Sequence, residues 1–279
     1  MHDILNSLTT LLRHPIVKKN TLVFFLKLLF WQINKRIFHL TFKYNFFSDL
    51  SFFLEPSSSY GALTFYTKLP DYYEMSYLLN NLNDSDYFID IGANIGIFTL
   101  LASSKVKKGK LFAFEPNKNV KDKLEKNIKL NNIKNCNVIG KIVSDENKKM
   151  FFELNSTSEL SRISLKKTDR SSNIDSVTLD EFIVENRLTR VNFLKIDVEG
   201  AECLVLKGAN KSLKRKLIRN IIFEVNPSSK DFNCDAQSTL ALLHSSKYKI
   251  FKFGNKGLIE VNSISDLETI ETINLLAVA

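Results

Sequence analysis

The run Tyr87-Phe-Ile-Asp90-Ile-Gly92-Ala-Asn94-Ile-Gly96 decides the fold. A short apolar strand carrying one acid breaks at a glycine-rich turn and gives way to a helical pattern from Gly96 to Ser104. Gly92 and Gly96 let the backbone turn tightly and leave room for a ligand to come close. Asn94 is the kind of side chain that best tolerates a left-handed conformation between them. A helix opening at Gly96 aims its N-terminal amides at such a ligand. The plain alternative is a tight strand-to-helix connection with no ligand. The spacing is not the G-x-G-x-x-G of a dinucleotide site, and Asp90 would repel a pyrophosphate while suiting a cationic amino-acid group. Asp90, Gly92, Asn94 and Gly96 are therefore read as holding S-adenosylmethionine in preference to a nicotinamide dinucleotide.

Outward from this stretch, short apolar runs alternate with amphipathic ones, the pattern of βαβ units around a parallel sheet. The runs are Tyr87–Ile91, Lys110–Phe114, Cys136–Val143, Val191–Ile196 and Asn220–Val225, with two later ones, Tyr248–Phe253 and Ile273–Val278, closing the sheet as an antiparallel pair. Helical spacing is expected over 117–130, 179–186, 201–206 and 236–246, and earlier over 72–82. Between the third and fourth runs lies an insertion with a strand-like piece at 149–154 and a Ser-, Thr- and Lys-rich segment at 155–173, read as a substrate loop. The division expected is a helical and irregular extension over 1–70 and a Rossmann-like domain over 71–279.

Three further positions carry chemistry. Glu115, before Pro116 at the end of the second run, can accept hydrogen bonds from both ribose hydroxyls; otherwise it is an exposed loop carboxylate. Lys195-Ile-Asp197-Val-Glu199-Gly-Ala-Glu202 closes the fourth run. Alternation puts Lys195 and Asp197 on one face, at the edge of the sheet where ligands bind in open α/β folds. That cluster suits proton removal from a hydroxyl, metal binding or contact with a ligand's ammonium, unless Asp197 or Glu199 is spent capping a helix. Glu224 ends the next run at the same edge and is a further candidate base. The four histidines fall in no motif, so the base is a carboxylate or Lys195.

Asp90-Ile-Gly-Ala-Asn-Ile-Gly-Ile-Phe-Thr99, Phe114-Glu-Pro116, Thr178-Leu-Asp180 and Lys195-Ile-Asp-Val-Glu-Gly-Ala-Glu202 follow one another at fitting distances. Together they resemble the FkbM family of S-adenosylmethionine-dependent methyltransferases, from about Glu74 to the C-terminal end. The resemblance implies a class I methyltransferase fold, a seven-stranded, mostly parallel sheet with an antiparallel last strand. It also implies methyl transfer to oxygen, often on sugars of glycolipids, polysaccharides or secondary metabolites. In such a fold Ser144 and Asp145 fall where adenine is contacted, although the same pair makes an ordinary turn.

The remaining composition bounds partners. A net charge of +9 over 279 residues suits an anionic partner or merely a lysine-solvated surface. Nucleic acid is not expected: the Asn/Asp-Pro-Pro-aromatic sequence of amino-methylating enzymes is absent after the fourth run, where Asp197-Val-Glu-Gly stands, and the basic residues lack aromatic stacking partners. A nucleic-acid methyltransferase and a non-catalytic, membrane-associated docking module are the alternatives, the second opposed by the intact loop and Glu115. Cys136, Cys203 and Cys234 are read as separate thiols of a reducing, cytoplasmic chain. Residues 21–33 are apolar but too short for the ~20 needed to span a bilayer, so they pack on the domain, pair with a second copy, or lie on an anionic membrane.

Overall fold

The computed structural model describes residues 2–153, 162–164, 168–169, 171–225, 232, 235–267 and 272–279. Three helices, α1 (His2–Arg13), α2 (Pro15–Lys19) and α3 (Thr21–Ile33), lead into a π-helical turn, Asn34–Phe38. A hairpin of β1 (Phe42–Phe47) and β2 (Leu50–Leu54) follows, then α4 (Ser59–Thr67) and α5 (Tyr72–Asn81). The alternating part comprises β3 (Tyr87–Ile91), α6 (Ile97–Ser103), β4 (Lys110–Phe114), α7 (Lys118–Leu130) and β5 (Cys136–Ile139). The inserted strands are β6 (Ile142–Val143), β7 (Lys149–Glu153), β8 (Arg162–Ser164) and β9 (Ser171–Val177). Then come α8 (Leu179–Glu185), β10 (Val191–Ile196), α9 (Glu202–Lys207), α10 (Asn210–Lys214), β11 (Ile218–Val225), α11 (Ala236–Ser245), β12 (Lys249–Gly254), β13 (Gly257–Val261) and β14 (Ile273–Val278).

The main sheet has the order β13-β12-β14-β11-β10-β3-β4-β5. β5, β4, β3, β10 and β11 run parallel, and β14 is antiparallel to both its neighbours, β11 and β12. This is the expected mostly parallel α/β sheet with one strand more: β13 extends the edge as a hairpin with β12. The run expected as one strand at 136–143 splits at Gly140-Lys141, its first half staying in the main sheet and its second joining β9 in a separate four-stranded sheet. The extension is not only helical, because Phe42–Leu54 folds as an antiparallel hairpin.

Pleating sorts the core into two layers. Phe88, Leu111, Ala113 and Phe193 point to one face, whose apolar cluster also takes in Val17, Phe24, Trp31, Phe52 and Leu54 of the N-terminal elements. Ile89, Phe112, Phe114, Leu194 and Ile196 point to the other face, under α8, α9 and α11. After β5 the chain returns to the far side of β3 to form β10. The strand order therefore reverses between β3 and β10, which is where open α/β sheets form a crevice.

Cys203, in α9, is disulfide-bonded. This corrects the reading of three separate thiols; among the described residues Cys136 is a free cysteine. Among the described residues no helix is long and apolar enough to cross a membrane.

Candidate active site at the strand-order reversal

β3 delivers Asp90 fully buried. Its Oδ2 accepts from the Thr99 hydroxyl at 2.6 Å, whereas Oδ1 is buried without a partner. Burial raises its pKa, offset in part by Lys195 and the Thr99 hydrogen bond. The turn that follows has Gly92, Asn94 and Gly96 all at positive φ, 78°, 52° and 93°. A Cβ on Gly92 would sit 1.8 Å from the Asp197 carbonyl oxygen, and one on Gly96 2.3 Å from the Leu124 side chain. The close approach that demands glycine is thus between the loop and its own protein. The Gly92 and Ala93 amides both donate to the Phe114 carbonyl, at 3.0 and 2.9 Å, which ties the turn to the end of β4.

Glu115 lies just past that carbonyl and is 7% exposed. Its carboxylate accepts from the Asn94 amide (3.0 Å) and the Asn117 amide (2.8 Å). Burial lifts its pKa to about 7 despite these donors. A carboxylate offers about four acceptor positions, so two remain for a ligand.

Lys195 pairs in register with Asp90 across the β10–β3 ladder. Its Nζ meets Asp197 Oδ2 at 2.9 Å and lies 4.6 Å from the centre of the Phe98 ring. Burial opposes its charge, but Asp197, Asp90 and Asp71 outweigh it and hold the ammonium above the ordinary lysine value. The pair is lopsided in access: the Lys195 side chain is 8% exposed, that of Asp197 41%. Beyond it the loop turns through Glu199 and Gly200, both at positive φ. The N-cap position of α9 is Ala201, which makes no side-chain cap. Glu202 shapes the turn instead, its Oε1 accepting from the Val198 and Gly200 amides at 3.0 and 3.2 Å.

These groups share a cavity of about 240 Å³. Asp90, Gly92, Asn94, Glu115, Lys195, Asp197 and Glu199 line it. Phe114, Ile142 and Val143 give it an apolar wall, the inserted strands a roof through Phe152 and Ile163, and α4 a side through Ser59, Tyr60 and Leu63. An apolar cleft with a few convergent polar groups is the form of a small-molecule site. Four expected residues stand outside its lining. Gly96 is beneath the turn, and Glu224 is at the end of β11, in register with Asn274 of β14. Ser144 is wholly buried, with its hydroxyl donating to Asp145 Oδ1 at 3.0 Å. No group of three or more His, Cys, Asp or Glu side chains placed to hold a metal occurs among the described residues.

Two residues of the site went unread in the sequence. The Tyr60 hydroxyl donates to Asp71 Oδ2 at 2.5 Å, and Asp71 interacts electrostatically with Lys195 and Asp197. Asp71 stands where a helix cap belongs, before Tyr72, yet makes no side-chain cap to α5. Its place after Pro70 ahead of a helical run was the available signal, and capping was the reading it invited.

A parallel sheet with a glycine turn after its first strand and acids after its fourth, and with an antiparallel strand beyond the fifth, is the class I methyltransferase fold. The chain belongs to the FkbM methyltransferase domain family, which matches residues 90–250. It is similar to Methyltransferase 1 of Beauveria bassiana, 29% identical over an alignment 170 residues long that covers 53% of this chain and 68% of that one. It is also similar to the hexuronic acid methyltransferase AglP of Haloferax volcanii, 28% identical over 160 residues, 53% of this chain and 59% of that one. Among solved structures, the precorrin-6y C5,15-methyltransferase of Geobacter metallireducens overlays 74% of this chain and 88% of its own, with a TM-score of 0.42 and 12% identity.

Proposed function

We propose that this methyltransferase moves the methyl group of S-adenosylmethionine to a hydroxyl, that of a sugar in a glycan, glycolipid or secondary metabolite. The observation that carries the reading is the asymmetric Lys195–Asp197 pair, a buried cation holding a half-exposed carboxylate in the cavity. The cofactor fits the residues present. The orphaned Oδ1 of Asp90 is an acceptor in want of a cation, which the cofactor's ammonium provides. Glu115 has acceptor positions to spare for ribose hydroxyls, and Ile142 and Val143 offer an apolar surface for a flat base. When bound, S-adenosylmethionine supplies an electrophilic methyl carried on a positively charged sulfur.

The chain's own part is alignment and proton handling. Asp197, fixed by Lys195, accepts the proton of the acceptor hydroxyl, with Glu199 beside it on the same wall. Alignment alone is worth on the order of 7–11 kcal/mol, and a positioned base about 10²–10⁴ in rate. Asp197 also answers to the cofactor's positive end, so one carboxylate orders both reactants. A relative named a hexuronic acid methyltransferase supports a sugar acceptor.

The test is incubation with carbon-13-methyl S-adenosylmethionine and a panel of hexuronic acids, glycosides and lipid-linked sugars, read by NMR. An O-methyl signal is expected, and Asp197→Asn should lower the rate by about 10²–10⁴, with S-adenosylhomocysteine binding weakened but not lost. A methyl signal on nitrogen or carbon would overturn transfer to oxygen. A wild-type protein that is folded yet binds no S-adenosylhomocysteine would overturn the cofactor assignment.

A further inference from the structure

α3 buries only part of its surface. Phe24 and Trp31 face the core, the indole against Phe42 and Phe65. On the opposite side Leu22, Leu26, Leu29 and Ile33 form one stripe, i, i+4, i+7 and i+11, and the π-helical turn continues it with Ile37 and Phe38. Leu22, Leu29 and Ile37 are 74%, 60% and 66% exposed. The one charge within α3 is turned away from this face: Lys27 donates inward to the Phe65 carbonyl (2.6 Å) and to the Tyr44 hydroxyl (2.9 Å). The stripe itself is apolar and has exposed basic side chains beside it, Lys18 and Lys19 ahead of α3 and Lys35 and Arg36 in the π-helical turn.

We propose that this face lies on an anionic lipid bilayer, with α3 in the plane of the interface and not across it. Charge distinguishes this occupant from the others. Between Ile4 and Ser48 the chain has seven Lys or Arg and no Asp or Glu, so most of the net charge of +9 sits in this region. An isologous contact with a second copy would set the same lysines against one another and bring no acid to meet them. An anionic leaflet accepts both halves of the pattern, apolar side chains below the headgroups and basic ones among them. α3 has 13 residues, about two thirds of a spanning length, which keeps it at the surface. The neighbouring α4 takes Phe30 and Trp31 of α3 against its Phe65 and lends Tyr60 and Leu63 to the cavity. Docking therefore places the cavity one helix away from the lipid.

The experiment is flotation of the full chain with phosphatidylcholine vesicles, neutral or containing roughly one third phosphatidylglycerol. Binding to the anionic vesicles alone is expected, weakened by high salt. Leu26→Glu/Leu29→Glu and, separately, Lys18→Glu/Lys19→Glu should each reduce it by about tenfold or more. Both variants should keep the wild-type circular dichroism, recorded before flotation. Failure of the folded wild type to float with anionic vesicles overturns the proposal, as does flotation unchanged in both variants. So does a wild-type dimer, seen by light scattering, that Leu26→Glu/Leu29→Glu dissociates. S-Adenosylhomocysteine binding, measured alongside, does not depend on this face. Its loss in the wild type would count against the methyltransferase chemistry and leave the docking result standing.

Discussion

Glu115 is a carboxyl group whose environment opposes the charge that its proposed role toward a ribose needs. Burial raises its pKa from 4.5 to about 7, so near neutrality the ligand-free site holds a mixture of acid and carboxylate. A ribose hydroxyl donates only to an acceptor, and binding then favours the ionised form. S-Adenosylhomocysteine should accordingly bind more tightly as pH rises through about 7, by up to about tenfold between pH 6 and pH 8, with proton release visible as a buffer-dependent heat in calorimetry. Glu115→Gln should flatten that dependence and weaken binding. A wild-type affinity that does not change over this range would show that the carboxylate is already ionised in the free protein. The acid itself was legible from its place after an apolar run. That both of its oxygens meet backbone amides was not, because those donors belong to residues 94 and 117, whose N–H directions follow only from the folded turns.

At the scale of elements, the joint between the N-terminal hairpin and the glycine turn after β3 is made by α7. Asn127, wholly buried, donates to the Ile95 carbonyl at 2.8 Å and accepts from the Phe53 amide at 2.9 Å. Asn131 does the same for both backbone groups of Ser51. Side chains of a helix thus cover the strand edge that β2 leaves unpaired, a substitute for another strand. Asn127→Leu keeps the branched shape but orphans a donor and an acceptor. It should cost about 2–4 kcal/mol in urea unfolding, and an unchanged midpoint would mean that water reaches both groups. The main strands and helices were readable because apolar periodicity repeats in them. β1, β2 and α4 were missed for local reasons. Aromatic runs such as Phe42–Phe47 suit either period, and α4 holds Gly61, Thr64 and Thr67, poor helix formers kept helical by the Ser58 cap on the Gly61 amide and by burial.

Over the whole molecule, Glu74, Glu115 and Glu202 have pKa values raised to about 7, 7 and 8, each chiefly by burial. For a carboxyl the sign is fixed: in that range the folded state binds more protons than the unfolded one, so stability falls as pH rises. The ligand-free protein should melt at a progressively lower temperature from about pH 6 to about pH 8, and Glu202→Gln should lessen the slope. A melting temperature level across that span would show that the three groups titrate as exposed carboxyls do. At this scale the parallel core and its order of motifs could be read in the chain. β13 could not, because Gly257–Val261 is exposed over all but its last residue and carries no buried face to give it away.

Gly92 touches the carbonyl of Asp197 so closely that no side chain fits between them. On the proposed function, the turn that would hold one reactant and the strand end that would activate the other are therefore joined as a single floor. Such a floor cannot act as a door. Exchange of ligand falls to the walls it does not clamp, the strands carrying Phe152 and Ile163 above and the helix carrying Tyr60 and Leu63 at the side. Ligand exchange is then expected to respond to substitutions in those walls and not to stiffening of the floor.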